Sequence, residues 1–359
     1  MNKKENLSIK EEKGLKIFLS LTFLLTFLLG LVMYFAKIKN LELGRLAIGQ
    51  MMLPAFAGMV TSLKLIDKKA DITRKSYYLY LAFTLVYLAY MIITIFFVKL
   101  SQDKLSLIDN SLLMFASILF IIFINIEGRE KKLKSNLNFG PLKKVLLVVL
   151  IFLGLFYLRS FILSYISKDM ESFKLAFRPD KQGLFFIILL NFVFAFIPFL
   201  GEEYGWRFFL QPLLQKKYGM RKGLIVLGLI WGVWHLPLCL FFYSANGTGF
   251  LSLINQIIVC ISLGIFFAYA YSKSESIWAV TIIHYLNNNM VLMFTESLDP
   301  NVIAGQDFNL MSILLTALVM VICYLPFIFT KYCSDKTYRS PSFYERIESF
   351  SKEDLDEKI

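Results

Sequence analysis

The sequence predicts an all-α, polytopic transmembrane helical bundle of about ten spans (eight to ten), and three observations carry that expectation. First, 57% of the 359 residues are hydrophobic and the mean hydropathy is +0.62. A soluble domain holds about 45–50% apolar residues, so the excess must face lipid rather than a water-shielded core. Second, the apolar residues fall into windows of membrane-spanning length. Third, the basic residues alternate in density from one connection to the next.

The windows run 15–36, 47–63, 76–98, 107–126, 145–166, 184–200, 223–243, 250–272, 277–294 and 310–329. Lys3, Lys4, Lys10, Lys13 and Lys16 lead into the first, which reads as a retained helix rather than a cleaved signal. The second carries Gln50 and Pro54, and the fifth contains Arg159. With the N-terminus in the cytoplasm, inner segments hold 28 of the 38 Lys and Arg residues and outer loops hold 9. The positive-inside rule then puts both termini in the cytoplasm of a multi-pass protein in the cell membrane. The net charge of +12 is therefore a topology signal, and no nucleic-acid partner is expected.

The chain divides into a cytoplasmic N-terminus (1–14), an N-terminal transmembrane region (15–183), a transmembrane core (184–294), an outer loop with the last helix (295–330) and a polar cytoplasmic tail (331–359) expected to be partly disordered. Asn246-Gly247 marks a tight turn between the helices at 223–243 and 250–272. Cys239, Cys260 and Cys323 read as apolar packing residues, and Cys333, just past the last span, as a candidate lipidation site.

Ionisable groups inside spans cost roughly 2.5–3.5 kcal/mol each on insertion scales, so each calls for a function. Three clusters stand out. In Glu202-Glu203-Tyr204-Gly205-Trp206-Arg207, a helix continuing from Leu184, bent at Pro198 or Pro212, would make Glu203 and Arg207 i,i+4 partners and leave Glu202 free. Trp231-Gly232-Val233-Trp234-His235 and His284-Tyr285-Leu286-Asn287-Asn288 follow, with His284 and Asn288 on one helix face. Asn287 and Asn289 face elsewhere, suited to interhelical hydrogen bonds. Counted to the nearest inner lysine, Glu202 is 14 residues from Lys216, His235 is 13 from Lys222 and His284 is 11 from Lys273. At 1.5 Å per residue these are roughly 21, 20 and 17 Å, one level within a ~30 Å core.

A buried carboxylate, two imidazoles and an amide fit hydrolysis by activated water. Glu202 would act as general base and His235 would hold the water, while His284 and Asn288 would donate to the oxyanion. No GxSxG serine is present. The same atoms allow a second version in which Glu202, His235 and His284 bind Zn2+, although HExxH is absent and Asn288 is a poor zinc ligand.

The three clusters resemble the motifs EExxxR, FxxxH and HxxxN/D of the CPBP family, the CAAX proteases and bacteriocin-processing or Abi proteins, in the same order on separate helices. Trp231 stands where the motif has phenylalanine, a swap that keeps an aromatic packing role. The resemblance covers about 184–294 and implies an intramembrane endopeptidase, annotated in the family both as a metalloprotease and as metal-free. It implies Glu202 and His235 activating water, His284 and Asn288 holding the oxyanion, and Glu203, Arg207 and Trp231 in support. Partners expected are the lipid bilayer and a peptide or membrane-protein substrate. The Lys-, Ile- and Asn-rich composition points to a bacterial source, where a prenylated substrate is not expected. Two rival readings are a membrane scaffold that regulates a signalling partner and, third, a transporter that uses the buried charges as an ion path.

Overall fold

The computed structural model describes residues 6–98, 100–297, 303–334 and 340–349. Among the described residues the chain forms helices and no strand, with an isolated bridge between Ser244 and Gln306. The first half comprises α1 (Ile9–Ile38), α2 (Gly44–Met51), α3 (Leu53–Leu65), α4 (Arg74–Phe96), α5 (Gln102–Ile126), the short α6 (Arg129–Lys134) and α7 (Leu142–Ile166). After the short α8 (Met170–Leu175) come α9 (Pro179–Ala195) and α10 (Ile197–Glu203), the latter running through a π-helical stretch, Tyr204–Leu210, into α11 (Gln211–Tyr218). Then follow α12 (Met220–Trp234), one turn of α13 (Leu236–Leu238), a π turn at Cys239–Tyr243 and α14 (Gly249–Ser274). Helix α15 (Ile277–Asn289), with a 3₁₀ turn at Met290–Phe294, α16 (Leu310–Tyr324) and α17 (Phe343–Ser349) complete it.

Seven helical segments among the described residues are long and apolar enough to cross a membrane: α1, Gly44–Leu65, α4, α5, α7, α14 and Leu310–Phe329. Two bent pairs raise this to nine: Pro179–Ala195 with Ile197–Tyr218, bent by 73°, and Met220–Trp234 with Leu236–Tyr243, bent by 43°. The protein is thus multi-pass, with a count of seven to nine that overlaps the eight to ten expected. The window at 277–294 is occupied by the 13-residue α15 and its 3₁₀ turn. At one end of this segment Ser276 donates to the Phe139 carbonyl and Trp278 Nε1 to that of Leu137. At the other, Lys181 Nζ donates to the carbonyls of Leu292 and Thr295.

Local sequence explains the helix ends. Ser8 and Glu11 form a reciprocal capping box at the start of α1, and Asn309 and Ser312 do so at α16. Gly219 (φ +86°) ends α11 in a left-handed conformation that glycine adopts without strain, so the chain turns straight into α12. Gly247 (φ +90°) supplies the turn expected before α14. Large apolar side chains such as Leu24, Phe27, Leu31, Ile187 and Leu190 point outward, as lipid-facing residues do.

Residues 8–11 and 340–349 meet at Lys216. Lys216 Nζ lies 2.9 Å from carboxylate oxygens of both Glu11 and Glu345, and the Ser342 hydroxyl donates to Glu11 at 2.8 Å. Residues 340–349 are therefore not a loose polar tail: Ser342, Phe343 and Tyr344 are buried, with Phe343 against Phe208 and Tyr344 against Phe209. Residues 350–359 lie outside the described set. Cys333, expected as a lipidation candidate, is fully buried beside Leu224 and Ala268, and burial pushes its thiol up to about 11. A buried, protonated thiol is a packing residue like the other three cysteines.

Candidate active site

The glutamate pair ends α10, just where the backbone widens into the π-helical stretch. Such stretches are rare and concentrate at functional sites. Gly201 lets α10 sit directly on the α2–α3 junction: a Cβ there would fall 2.3 Å from the Tyr80 hydroxyl and 2.6 Å from the Met51 carbonyl oxygen. Tyr204 anchors the π stretch by donating to the Ser135 carbonyl (2.7 Å) while its oxygen lies 2.6 Å from the Tyr77 hydroxyl. The bend expected at Pro198 is present, as the 73° break after Ala195. Proline cannot donate a backbone N–H and so tolerates the first turn after such a break.

Glu203 is fully buried and accepts twice. Its Oε2 takes Arg207 Nε–H at 2.8 Å, the i,i+4 pair expected from sequence. Its Oε1 takes His284 Nδ1–H, also at 2.8 Å, from a residue 81 positions away. Arg207 is itself sealed from solvent, and its two terminal nitrogens meet no acceptor among the described residues. Instead its guanidinium stands 4.8 Å from the Trp231 ring centroid and 5.3 Å from that of Phe267, so ring faces share its charge.

Glu202 points the other way, as the 100° helical step requires, and is not free of partners: Trp231 Nε1–H donates to its Oε2 at 2.8 Å. The same tryptophan's carbonyl accepts from His235 Nδ1 at 2.8 Å. One residue therefore aims both groups, and the reading of Trp231 as aromatic packing misses its N–H. A carbonyl can only accept, so His235 Nδ1 carries hydrogen and Nε2 of the neutral ring is an acceptor. His235 sits at the C-cap of α12, where the chain bends by 43° ahead of Pro237.

Glu202, Trp231, His235, His284 and Asn288 all line one cavity of about 480 Å³. The four groups picked out by type, spacing and depth do converge. Glu203 and Arg207 stand behind His284 instead, outside the cavity lining. Asn288, unlike the others, is exposed, and its Oδ1 accepts from Asn287 Nδ2 at 3.0 Å. Asn287 also makes the interhelical bond expected of it, accepting from Arg159 Nη1 at 3.2 Å, whereas Asn289 bonds within its own helix to the Tyr285 carbonyl. Arg159, to which the sequence reading gave no role, lines the same cavity.

Among the described residues no three His, Cys, Asp or Glu side chains gather closely enough to hold a metal ion. Glu202, His235 and His284, the zinc set considered from sequence, line one cavity without forming such a group. Each histidine bonds a protein acceptor through Nδ1, which leaves Nε2 as its second nitrogen, and Glu202 has one oxygen engaged by Trp231.

Comparison with known proteins adds an independent finding. Residues 182–290 match the family model described as Type II CAAX prenyl endopeptidase Rce1-like. The chain is also 28% identical over 128 residues to CAAX prenyl protease 2 of Methanococcus maripaludis, a match covering 34% of this chain and 45% of that relative. The chain thus spans less than half the length of the curated relative it matches. No solved structure matches it.

Proposed function

We propose, from the premise that the matched core puts this chain in the CPBP and CAAX intramembrane protease family, that it hydrolyses a peptide bond of a membrane-associated protein or peptide. The observation that carries this reading is the shared cavity, which Glu202, His235, His284 and Asn288 all line. Metal-free activation of water suits these groups.

In this mechanism Glu202 Oε1 and His235 Nε2, both acceptors, hold the two hydrogens of one water and turn its lone pair toward a carbonyl carbon. Glu202 takes a proton as the C–O bond forms, and the carbonyl π electrons move onto oxygen. The oxyanion receives N–H donors from Asn288 Nδ2 and His284 Nε2. Because His284 Nδ1–H is committed to Glu203, its Nε2 donates only as the imidazolium, with Glu203 as counter-ion. Glu202 then returns the proton to the departing nitrogen, the C–N bond breaks, and an acid and an amine result. Donors aimed at developing charge in a water-poor site supply much of such a rate enhancement.

We further propose that the end of the bundle where Glu11, Lys216 and Glu345 meet faces the cytoplasm of a cell-membrane protein. The 28-to-9 bias of basic residues supports this, as does the meeting of residues 8–11 and 340–349 on one face.

Glu202→Gln tests the proposal. Membranes containing wild type or variant are incubated with an apolar peptide library and the products read by mass spectrometry. Cleavage by wild type, absent with the variant and unaffected by a chelator, is the expected result. Equal products from both would remove Glu202 from the mechanism.

A further inference from the structure

Arg159 is the one Lys or Arg side chain that lines the cavity. It projects from α7, seven residues before that helix ends at Ile166, roughly 10 Å along the axis. An arginine at this depth ordinarily extends along its helix to the headgroups. Arg159 instead turns inward, half-buried, and donates from Nη1 to Asn287 Oδ1 at 3.2 Å. The rings of Phe156 and Tyr324 stand 4.3 and 6.0 Å from the guanidinium, and Met320 Sδ lies 3.9 Å from Nη1. Among the described residues no carboxylate comes within ion-pair distance of it, whereas the buried Arg45 and Arg207 each have one. A carboxamide oxygen on α15 is thus its strongest partner.

That partner is one step from the proposed chemistry. Asn287 Nδ2–H donates to Asn288 Oδ1 at 3.0 Å, and Asn288 is exposed and lines the cavity. Among the described residues Asn288 Nδ2 has no acceptor. A carboxamide can turn end for end, exchanging acceptor for donor with almost no change of shape, whereas a guanidinium has donors only. With Arg159 in place, Asn287 must present its oxygen to α7 and therefore its NH₂ to Asn288. Asn288 must in turn accept through Oδ1, which reserves Nδ2 for an incoming oxyanion. Polarisation passes along the same bonds, because a cation at an amide oxygen strengthens that amide as a donor. An Asn288 turned the other way would set oxygen against oxygen.

We propose that Arg159 is a positioning residue of the reaction: through Asn287 it fixes the carboxamide of Asn288 with its N–H end toward the oxyanion. The inference rests on the peptidase reading for the identity of the reaction, but not for the order of donors and acceptors along Arg159, Asn287 and Asn288. The rival role is an anchor that only ties α7 to α15. Asn287→Asp tells the two apart. The new carboxylate would give Arg159 an ion pair and strengthen an anchor, yet it has no N–H to offer Asn288. Asn288 would then turn Nδ2 back toward the carboxylate and leave Oδ1 for the substrate.

Kinetics are measured on the full chain in micelles with a peptide that wild type cuts. Arg159→Met, which keeps an unbranched side chain beside Phe156 and Tyr324, should lower kcat on the order of tenfold with KM within about twofold. Arg159→Lys, again a donor only, should recover most of that loss. Asn287→Asp should lower kcat on the order of a hundredfold, as loss of one oxyanion donor does, while unfolding no earlier than wild type. Full activity in Asn287→Asp, or a loss in Arg159→Met confined to KM, would overturn the proposal. A second measurement needs no substrate: the side-chain NH₂ resonances of isotopically labelled asparagine, assigned with Asn287→Ala and Asn288→Ala. Arg159→Met should shift the resonances of both Asn287 and Asn288, and Arg159→Lys should return them toward the wild-type positions. An Asn288 resonance that does not respond to Arg159 refutes the relay. If Arg159→Met does not fold, Asn287→Asp and Arg159→Lys decide. Resonances that respond as expected, combined with no wild-type cleavage of any peptide, would keep the relay and remove the peptidase reading.

Discussion

Adjacent glutamates with opposite surroundings make a sharp prediction about stability. Glu203 is fully buried and accepts two charge-assisted hydrogen bonds, from Arg207 and His284, both at 2.8 Å. Glutamine at this position offers one acceptor and one donor, so one of the two N–H groups must face an NH₂. Each hydrogen bond to a charged group contributes about 1.5–3 kcal/mol, and breaking a buried pair by removing one partner costs about 3–5 kcal/mol. Glu203→Gln should therefore be destabilised by about 3–5 kcal/mol. Glu202→Gln, by contrast, keeps an acceptor for Trp231 Nε1 and leaves no cation without its partner, so its stability should stay within about 1 kcal/mol of wild type. Reversible unfolding in mixed micelles, followed by tryptophan fluorescence for all three proteins, gives the comparison. Wild-type stability in Glu203→Gln, or equal losses in both variants, would refute the division of labour between the two carboxylates.

Three other outcomes follow from the same structure. Trp231→Phe keeps the ring beside Arg207 but removes the N–H that aims Glu202, so kcat should fall on the order of tenfold with little change in KM; an unchanged kcat would mean the indole bond has no kinetic role. Gly201→Ala sets a Cβ 2.6 Å from the Met51 carbonyl and 2.9 Å from Met52 Cα, and should lower the thermal midpoint by several degrees, while Gly154→Ala, with nothing within 4 Å, should not. The Cys333 thiol, pushed up to about 11 by burial, stays protonated well above neutrality and should resist maleimide at pH 8 in folded protein, reacting only after denaturation.

Much of the candidate site was legible in the sequence because charge inside an apolar run is conspicuous. Glu202, His235 and His284 stand out by type, their counted depths agree, and the three helices do bring them to one cavity. The Glu203–Arg207 pair follows from helical spacing alone. What could not be read lies across helices. The Glu203–His284 bond joins residues whose separation carries no periodic signal, and Trp231 reads as an aromatic packing residue although its N–H reaches Glu202. Arg159 was visible as a charge in a span, but its inward turn depends on where Asn287 sits. The window at 277–294 gives no hint in its hydropathy that α15 is buried among neighbours on most of its faces. The tail's polar composition likewise hides Phe343 and Tyr344, which pack on the π stretch.

Both bent helices carry their reactive groups next to the break: the glutamates follow the 73° turn and His235 stands at the 43° one. Interrupted helices release carbonyls and amides that hydrocarbon cannot solvate, and at membrane depth they persist only against protein or water. The irregular backbone and the polar-lined chamber thus sustain each other. A straightened version of either segment would restore the hydrogen-bond ladder and, under the proposed mechanism, cost the cavity the backbone irregularity that places its reactive groups.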